Sequence, residues 1–209
     1  MNLHEQFGNI DIYLFDQLLK GRIAPGQKVL DAGCGNGRNL VYLLRNGFEV
    51  CAVDQSPEAI GKVRELAAQC APALPPDNFR VENIESLSFE SNSFDVVINN
   101  AVLHFATDEL HFFAMFMEMW RVLRPGGLFF CRLASGIGIE QRLHHIHGRR
   151  YVLPDHTERF LVDEEMLLSI AGKFNGTLIE PLRTVNVQNI RCMTTWCMIK
   201  NQTPTVAIL

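Results

Sequence analysis

The 209-residue sequence predicts an α/β fold, a doubly wound and mostly parallel sheet in one domain. Three observations lead there. Strand-like runs at 28–31, 49–54 and 94–99 alternate with longer helical patterns, the βαβα order that makes parallel strands with right-handed crossovers. The run Phe94-Asp95-Val96-Val97-Ile98-Asn99 is nearly continuous in apolar residues, as suits a strand covered on both faces. The first strand also runs straight into a turn with Gly33, Gly35 and Gly37, where an α/β sheet presents bare backbone to a ligand.

Taken in order, residues 1–27 are expected to form an N-terminal helical cap. Ile10, Tyr13, Leu14, Leu18 and Leu19 recur at three- and four-residue spacing, Asp16 and Lys20 stand at i,i+4, and Pro25-Gly26 ends the pattern. Such a cap either lids the mouth of a site or covers a sheet edge. The domain proper is expected over 28–200. Its first strand leads through the glycines into a helix at about 37–46, and the second strand ends in Asp54. Ser56-Pro57-Glu58 reads as the N-cap, N1 proline and acidic first turn of the next helix. Residues 71–78 read as a loop and 79–81 as a short strand. A helix at 108–123 is expected to bury Phe112, Phe113, Met115, Phe116, Met119 and Trp120. Arg124-Pro125-Gly126-Gly127 reads as a turn before a strand at 128–133. Residues 135–160 break the alternation as an excursion, and a helix follows at 163–173. The runs 177–187 and 190–200 are so closely connected that they must pair antiparallel. Residues 201–209 read as a tail.

Composition excludes more than it assigns. With 19 Lys and Arg against 23 Asp and Glu, and the two signs mixed, nothing suggests a basic groove for nucleic acid. Six cysteines at 34, 51, 70, 131, 192 and 197 form no C-x-x-C pair and read as buried, reduced thiols. The first residues lack the basic and apolar regions of a signal peptide, and no apolar run reaches membrane-spanning length. A cytoplasmic protein without a membrane partner is expected, as a monomer or homodimer.

Two cofactors compete for the glycine turn. A dinucleotide wants G-x-G-x-x-G, but Arg38 stands where the third glycine would be. Asp31 at the strand end disfavours a pyrophosphate and favours a cationic group. Asp54, 23 residues further on at the end of the second strand, is placed to accept from ribose hydroxyls. S-adenosylmethionine, with its ammonium, sulfonium and adenosine, suits both carboxylates.

Val29-Leu30-Asp31-Ala32-Gly33-Cys34-Gly35-Asn36-Gly37 resembles the first motif of class I S-adenosylmethionine-dependent methyltransferases. Four further pieces agree in order and spacing over about residues 28–134. They are Val53-Asp54-Gln55-Ser56-Pro57, then Val81-Glu82-Asn83-Ile84-Glu85-Ser86-Leu87, then Asn92-Ser93-Phe94-Asp95-Val96-Val97 leading to Leu103-His104, and Val122-Leu123-Arg124-Pro125-Gly126-Gly127. Fewer features resemble the tellurite and thiopurine methyltransferase branch. The resemblance implies a Rossmann-like sheet of seven strands with the last antiparallel, S-adenosylmethionine as cofactor, S-adenosylhomocysteine as product and a small-molecule acceptor. It implies cofactor contacts at Asp31 for the amino group, and at Gly33, Cys34 and Gly35 under the methionine part. Asp54 and Gln55 would lie at the ribose, Asn83 and Ile84 at the adenine, and Asn99 at the methyl-transfer point. Asn83 departs from the family's usual aspartate there.

Asn99-Asn100-Ala101-Val102-Leu103-His104 stands where amide- and amine-methylating members of the class carry Asn-Pro-Pro-Tyr. No obligatory catalytic residue follows, and His104 is the candidate substrate-side base, with a lining or capping histidine as the alternative. In the excursion, Arg149, Arg150 and Tyr151 are candidates for an anionic or planar substrate pocket. His144, His145, His147 and His156, with Asp155, have a spacing that a metal could use, but no cysteine is near and no metal is expected. A solvated face or a subunit contact is the remaining reading of this segment, and an RNA or protein acceptor would dock there if anywhere. A non-catalytic cofactor-binding protein and a nicotinamide oxidoreductase are the alternatives to an enzyme of this class.

Overall fold

A computed structural model describes residues 2–202 of the chain. Helices α1 (Leu3–Phe7) and α2 (Ile12–Leu19) precede β1 (Lys28–Ala32), α3 (Val41–Arg45), β2 (Glu49–Asp54), α4 (Pro57–Cys70), β3 (Phe79–Val81) and β4 (Phe94–Asn100). There follow α5 (Glu109–Val122), β5 (Leu123–Ser135), β6 (His144–His147), β7 (Arg150–Val152), β8 (Glu158–Phe160), α6 (Glu164–Lys173), β9 (Gly176–Leu178), β10 (Arg183–Val187) and β11 (Arg191–Lys200).

The main sheet has the order β10-β11-β5-β4-β1-β2-β3, with β9 also on β11. From β1 the chain winds outward in parallel through β2 to β3, then returns to place β4 on the other side of β1. The strand order therefore reverses between β1 and β4, which opens a crevice at their carboxyl ends. β11 is antiparallel to β5. Successive residues feed opposite cores. Val29, Val96, Ile98 and Phe130 pack with Leu14, Leu43 and Ile60 of α2, α3 and α4. Leu30, Val97, Phe129 and Trp196 pack with Phe112, Phe116, Met119 and Ile170 of α5 and α6. The aromatic side of α5 is thus core, with Phe116 stacked on Trp196 at 5.6 Å.

Side-chain caps start the long helices where the sequence places them. Ser56 Oγ accepts from the Ala59 N–H at 3.2 Å, with Pro57 as the first helical residue. Asp108 and Asp163 likewise cap α5 and α6.

Four local expectations are corrected. The helix expected from 37 is regular only over Val41–Arg45, because Gly37 at φ 76° keeps 36–40 in turns. The strand expected over 177–187 is two strands on one edge. Leu178 faces Met198 and Arg183 faces Thr195, so the edge chain spends five residues where β11 spends three. Pro181, which has no N–H to offer, falls in that gap. Seven strand positions thus hold eight strands. The strand expected from 128 begins at Leu123, and Arg124-Pro125-Gly126-Gly127 loops out of it between the pairs Phe94–Leu123 and Val96–Leu128. The excursion contains an antiparallel sheet, β6-β7-β8.

The N-terminal helices join the α3 side. Phe7 stacks on Tyr42 at 4.9 Å. The far end of α2 is anchored in the β9–β10 gap, where Glu180 accepts from Gln17 at 3.0 Å, Lys20 at 2.7 Å and Arg22 at 2.8 Å. Burial works against the charge of Glu180, but Lys20 and Arg22 pull its pKa down to about 2. Its other end, at Asp11, stands near the crevice. Residues 203–209 of the expected tail lie outside the described residues. Among the described residues no helix is long and apolar enough to cross a membrane, and no cluster of His, Cys, Asp or Glu could hold a metal.

Candidate active site

A cavity of about 550 Å³ occupies the crevice, walled by the glycine turn, the ends of β2 and β4, and residues 82–85. The three glycines do different work. Gly33 has φ 83°, and a Cβ there would stand 2.5 Å from Val102 Cγ2, so the loop after β4 packs directly onto its backbone. Gly35 has φ 51° and nothing within 4 Å of a would-be Cβ, so it leaves backbone open to the cavity. The Gly33 and Cys34 N–H groups donate to the Val53 carbonyl at 2.9 and 3.0 Å, which ties the turn to β2.

The two carboxylates differ in their surroundings. Asp54 Oδ2 accepts from the Gly35 N–H at 2.9 Å and Oδ1 from the Ser56 N–H at 2.9 Å. Each oxygen keeps a second acceptor position. Asp31 is 1% exposed, and neither of its oxygens has a hydrogen-bond partner. Burial, opposed by Arg38 and reinforced by Asp54, pushes its pKa up to about 7. An orphaned, buried carboxylate is costly in a folded chain, and a cationic ligand group would complete it.

Gly33, Cys34, Gly35, Asp54, Gln55, Asn83 and Ile84 all line the cavity; Asp31, in β1 two residues before Gly33, is not on its wall. Asn99 does not line it. It is fully buried, with Nδ2 donating to the Ala32 carbonyl at 2.9 Å and Oδ1 accepting from the Leu103 N–H at 3.4 Å. Its amide joins the ends of β1 and β4, and Asn100 lines the cavity instead. Nothing in the one-dimensional pattern separates these adjacent asparagines, since the strand is buried on both faces.

His104 is also corrected. It is 5% exposed and absent from the cavity wall, and its Nδ1 accepts from the Ala134 N–H at 3.1 Å. Burial, with Arg159 nearby, lowers its pKa to about 4, so the ring is neutral at pH 7 and serves to hold β5. Arg149, Arg150 and Tyr151 do not line this cavity. Arg149 donates to Asp163 at 2.8 Å, and Arg150 to Glu158 and the Ala106 carbonyl, both at 3.1 Å. Tyr151 packs edge-on against His145. The Arg149–Asp163 pair and the Arg150 bond to Ala106 fasten the small sheet to the domain. The sequence reading missed Arg38, Val102, Phe105, His111 and Met115 on the wall; Arg38 alone carried a signal, as the residue displacing the dinucleotide glycine.

Fold and cleft together define a Rossmann-like domain built for a cationic nucleoside cofactor. Known proteins carry this to a family. A family model described as a methyltransferase domain matches residues 30–131. The ubiquinone biosynthesis O-methyltransferase of Methylocella silvestris is 35% identical over 182 residues, covering 79% of this chain and 68% of that protein. An uncharacterized methyltransferase of Synechocystis is 36% identical over 107 residues, covering 51% of this chain and 47% of its own length. The chain thus spans about half the length of the first curated relatives it matches. Among solved structures, the 1,6-didemethyltoxoflavin-N1-methyltransferase of Burkholderia thailandensis shares the fold, with TM-score 0.70, 20% identity, and coverage of 96% of this chain and 82% of that one. The chain belongs to the class I S-adenosylmethionine-dependent methyltransferases.

Proposed function

We propose that the protein transfers the methyl group of S-adenosylmethionine to a small-molecule acceptor. The observation that carries this reading is the buried Asp31 carboxylate, left without a partner two residues before an open glycine turn. An ammonium is the group it lacks. Asp54 would take the ribose hydroxyls with its remaining acceptor positions, and the Asn83 amide oxygen and Ile84 N–H would serve the adenine. When bound, S-adenosylmethionine supplies a sulfonium-borne methyl group on an excellent leaving group.

The chain's own contribution is then placement and the exclusion of water. Val102 and Met115 give the cavity apolar wall, and Arg38 and Asn100 give it a polar end. No base is assigned, because the Nδ1 lone pair of His104 already accepts from Ala134, burial makes the ring a weak base, and it stands off the wall. A small acceptor is supported by the relatives named above, one concerned with ubiquinone biosynthesis and one holding 1,6-didemethyltoxoflavin with S-adenosylhomocysteine. Six free cysteines, five of them buried, support a cytoplasmic setting.

Calorimetry with S-adenosylmethionine and S-adenosylhomocysteine tests the reading. Binding of both is expected, with NADH silent; silence of both methyl-cycle ligands would overturn it. Binding without turnover across an acceptor panel would instead make the protein a non-catalytic cofactor binder.

A further inference from the structure

Beyond the cofactor wall, a line of polar side chains crosses four neighbouring strands. Asn100 on β4 faces Arg132 on β5, Arg132 faces Thr195 on β11, and Thr195 faces Arg183 on β10. Ile98, Phe130 and Cys197, each two residues away, belong to the α2–α4 core, so the whole row lies on that face of the sheet. Asn100 is 8% exposed and Thr195 3%. Three consecutive members carry buried atoms without a partner: Asn100 Nδ2, Arg132 Nε and Thr195 Oγ1. The Asn100 oxygen is fixed by Arg38 Nη2, which donates to it at 3.1 Å, so the amide nitrogen is the free end.

Asp16 Oδ2 lies 3.7 Å from Arg183 at the outer end of the row, and the carboxylate of Asp11 stands over its inner end. Asp11 Oδ2 accepts from Arg132 at 3.2 Å and, at 3.5 Å, from Arg38. Two guanidinium groups therefore share one anionic oxygen. The other Asp11 oxygen caps α2 at the Tyr13 N–H, and the Tyr13 ring lies 5.0 Å from the Arg132 guanidinium and 5.6 Å from that of Arg183. The row is rich in unused donors, poor in acceptors and roofed by the N-terminal end of α2.

We propose that this row is an oxyanion site, which takes a carboxylate or phosphate carried by the methyl acceptor, with Asp11 as the internal carboxylate that holds the place until that group arrives. The proposal rests on the methyltransferase reading for the word acceptor only. The row begins at Arg38 and Asn100 on the cavity wall, and crosses β5 and β11 on the side of β4 away from β2 and β3, whose ends lead to Asp54 and Asn83. From Asn100 to Thr195 it crosses two strand spacings, about 10 Å, more than the single methionine carboxylate of the cofactor needs. Two guanidinium groups and a primary amide nitrogen match the in-plane lone pairs of an oxyanion. Release of Asp11 moves the entry to α2, so the same segment works as a lid.

The test is phosphate-dependent thermal stability of the protein saturated with S-adenosylhomocysteine, against chloride at matched ionic strength. Inorganic phosphate is expected to raise Tm saturably. Arg38→Met and Arg132→Met should each weaken its apparent affinity about tenfold or more; Arg38 is half exposed, so its variant keeps the test valid if Arg132→Met does not fold. Asp11→Asn should tighten phosphate binding, the opposite of what loss of a purely structural cap would do. No saturable effect over chloride, or an Asp11→Asn protein that binds phosphate no better, overturns the proposal. Competition between phosphate and S-adenosylhomocysteine would give the row to the cofactor's own carboxylate and overturn the acceptor assignment. Calorimetry of S-adenosylhomocysteine on the same samples reads the methyltransferase assignment separately, since phosphate can also be titrated without it.

Discussion

The switch-point cleft and the excursion at 135–160 are both dense in charged and hydrogen-bonding residues, yet they are finished differently. In the excursion the arginines other than Arg142 already have acceptors: Arg149 has Asp163, Arg150 has Glu158 and a carbonyl, and Arg159 has the Glu158 carbonyl. In and beside the cleft, Asp31, Asn100, Arg132 and Thr195 are buried with polar atoms unmatched. A folded chain satisfies its buried polar groups unless something else is meant to do so. Gln6 Oε1 and Trp196 Nε1 are also buried and unmatched but line no part of the cleft, so unmet hydrogen-bonding capacity points to chemistry only together with a cavity.

This contrast can be broken by substitution on either side of it. The largest effect is expected for Asp54→Ala, which removes the charged acceptor proposed for the ribose and should weaken S-adenosylhomocysteine binding by about 3 kcal/mol, over a hundredfold, in calorimetry. Gly33→Ala should follow at about 2–3 kcal/mol of stability in denaturant unfolding. Its Cβ meets Val102 at 2.5 Å on a backbone at φ 83°, so the β4 loop must move. His104→Ala should cost about 1–2 kcal/mol of stability by stranding the Ala134 N–H, while kcat at a permissive temperature stays unchanged. The His104 pKa is depressed, so in the wild type its contribution is complete above about pH 6.5 and fades as pH falls towards 4. A loss of kcat with full folding would return His104 to the chemistry. Arg149→Ala should change stability by less than about 1 kcal/mol and leave cofactor affinity untouched, because its ion pairs are partly solvent-exposed. A clear drop in affinity would put the excursion back at the site.

The sequence made the sheet legible because buried parallel strands write themselves as short apolar runs, and the glycine turn and Asp54 follow from where such runs end. The break at Pro181 was visible as a residue but not as a register change, since pairing with β11 is what counts it. The small sheet of the excursion hid because β6 is exposed throughout and β7 only half buried, so neither shows an apolar period. Asn99 and Asn100 are chemically identical neighbours; only the β4 pleat decides which amide joins strands and which faces the cavity. The polar row is invisible in one dimension, because its members come from four strands up to 95 residues apart.

The central claim is that Asp31 is held without a partner so that the cofactor's ammonium can supply one. Its pKa near 7 sets the sign: below it the free protein keeps Asp31 protonated while the unfolded chain ionises, so stability falls as pH rises from about 4 to about 7. A bound ammonium favours the ionised form, so binding releases a proton below that pKa. Calorimetry of S-adenosylhomocysteine from about pH 6 to about pH 8 reads this directly. Affinity should rise through pH 7 with proton release, and Asp31→Asn should bind weakly with that dependence gone; a pH-independent affinity shared by wild type and Asp31→Asn would contradict the account.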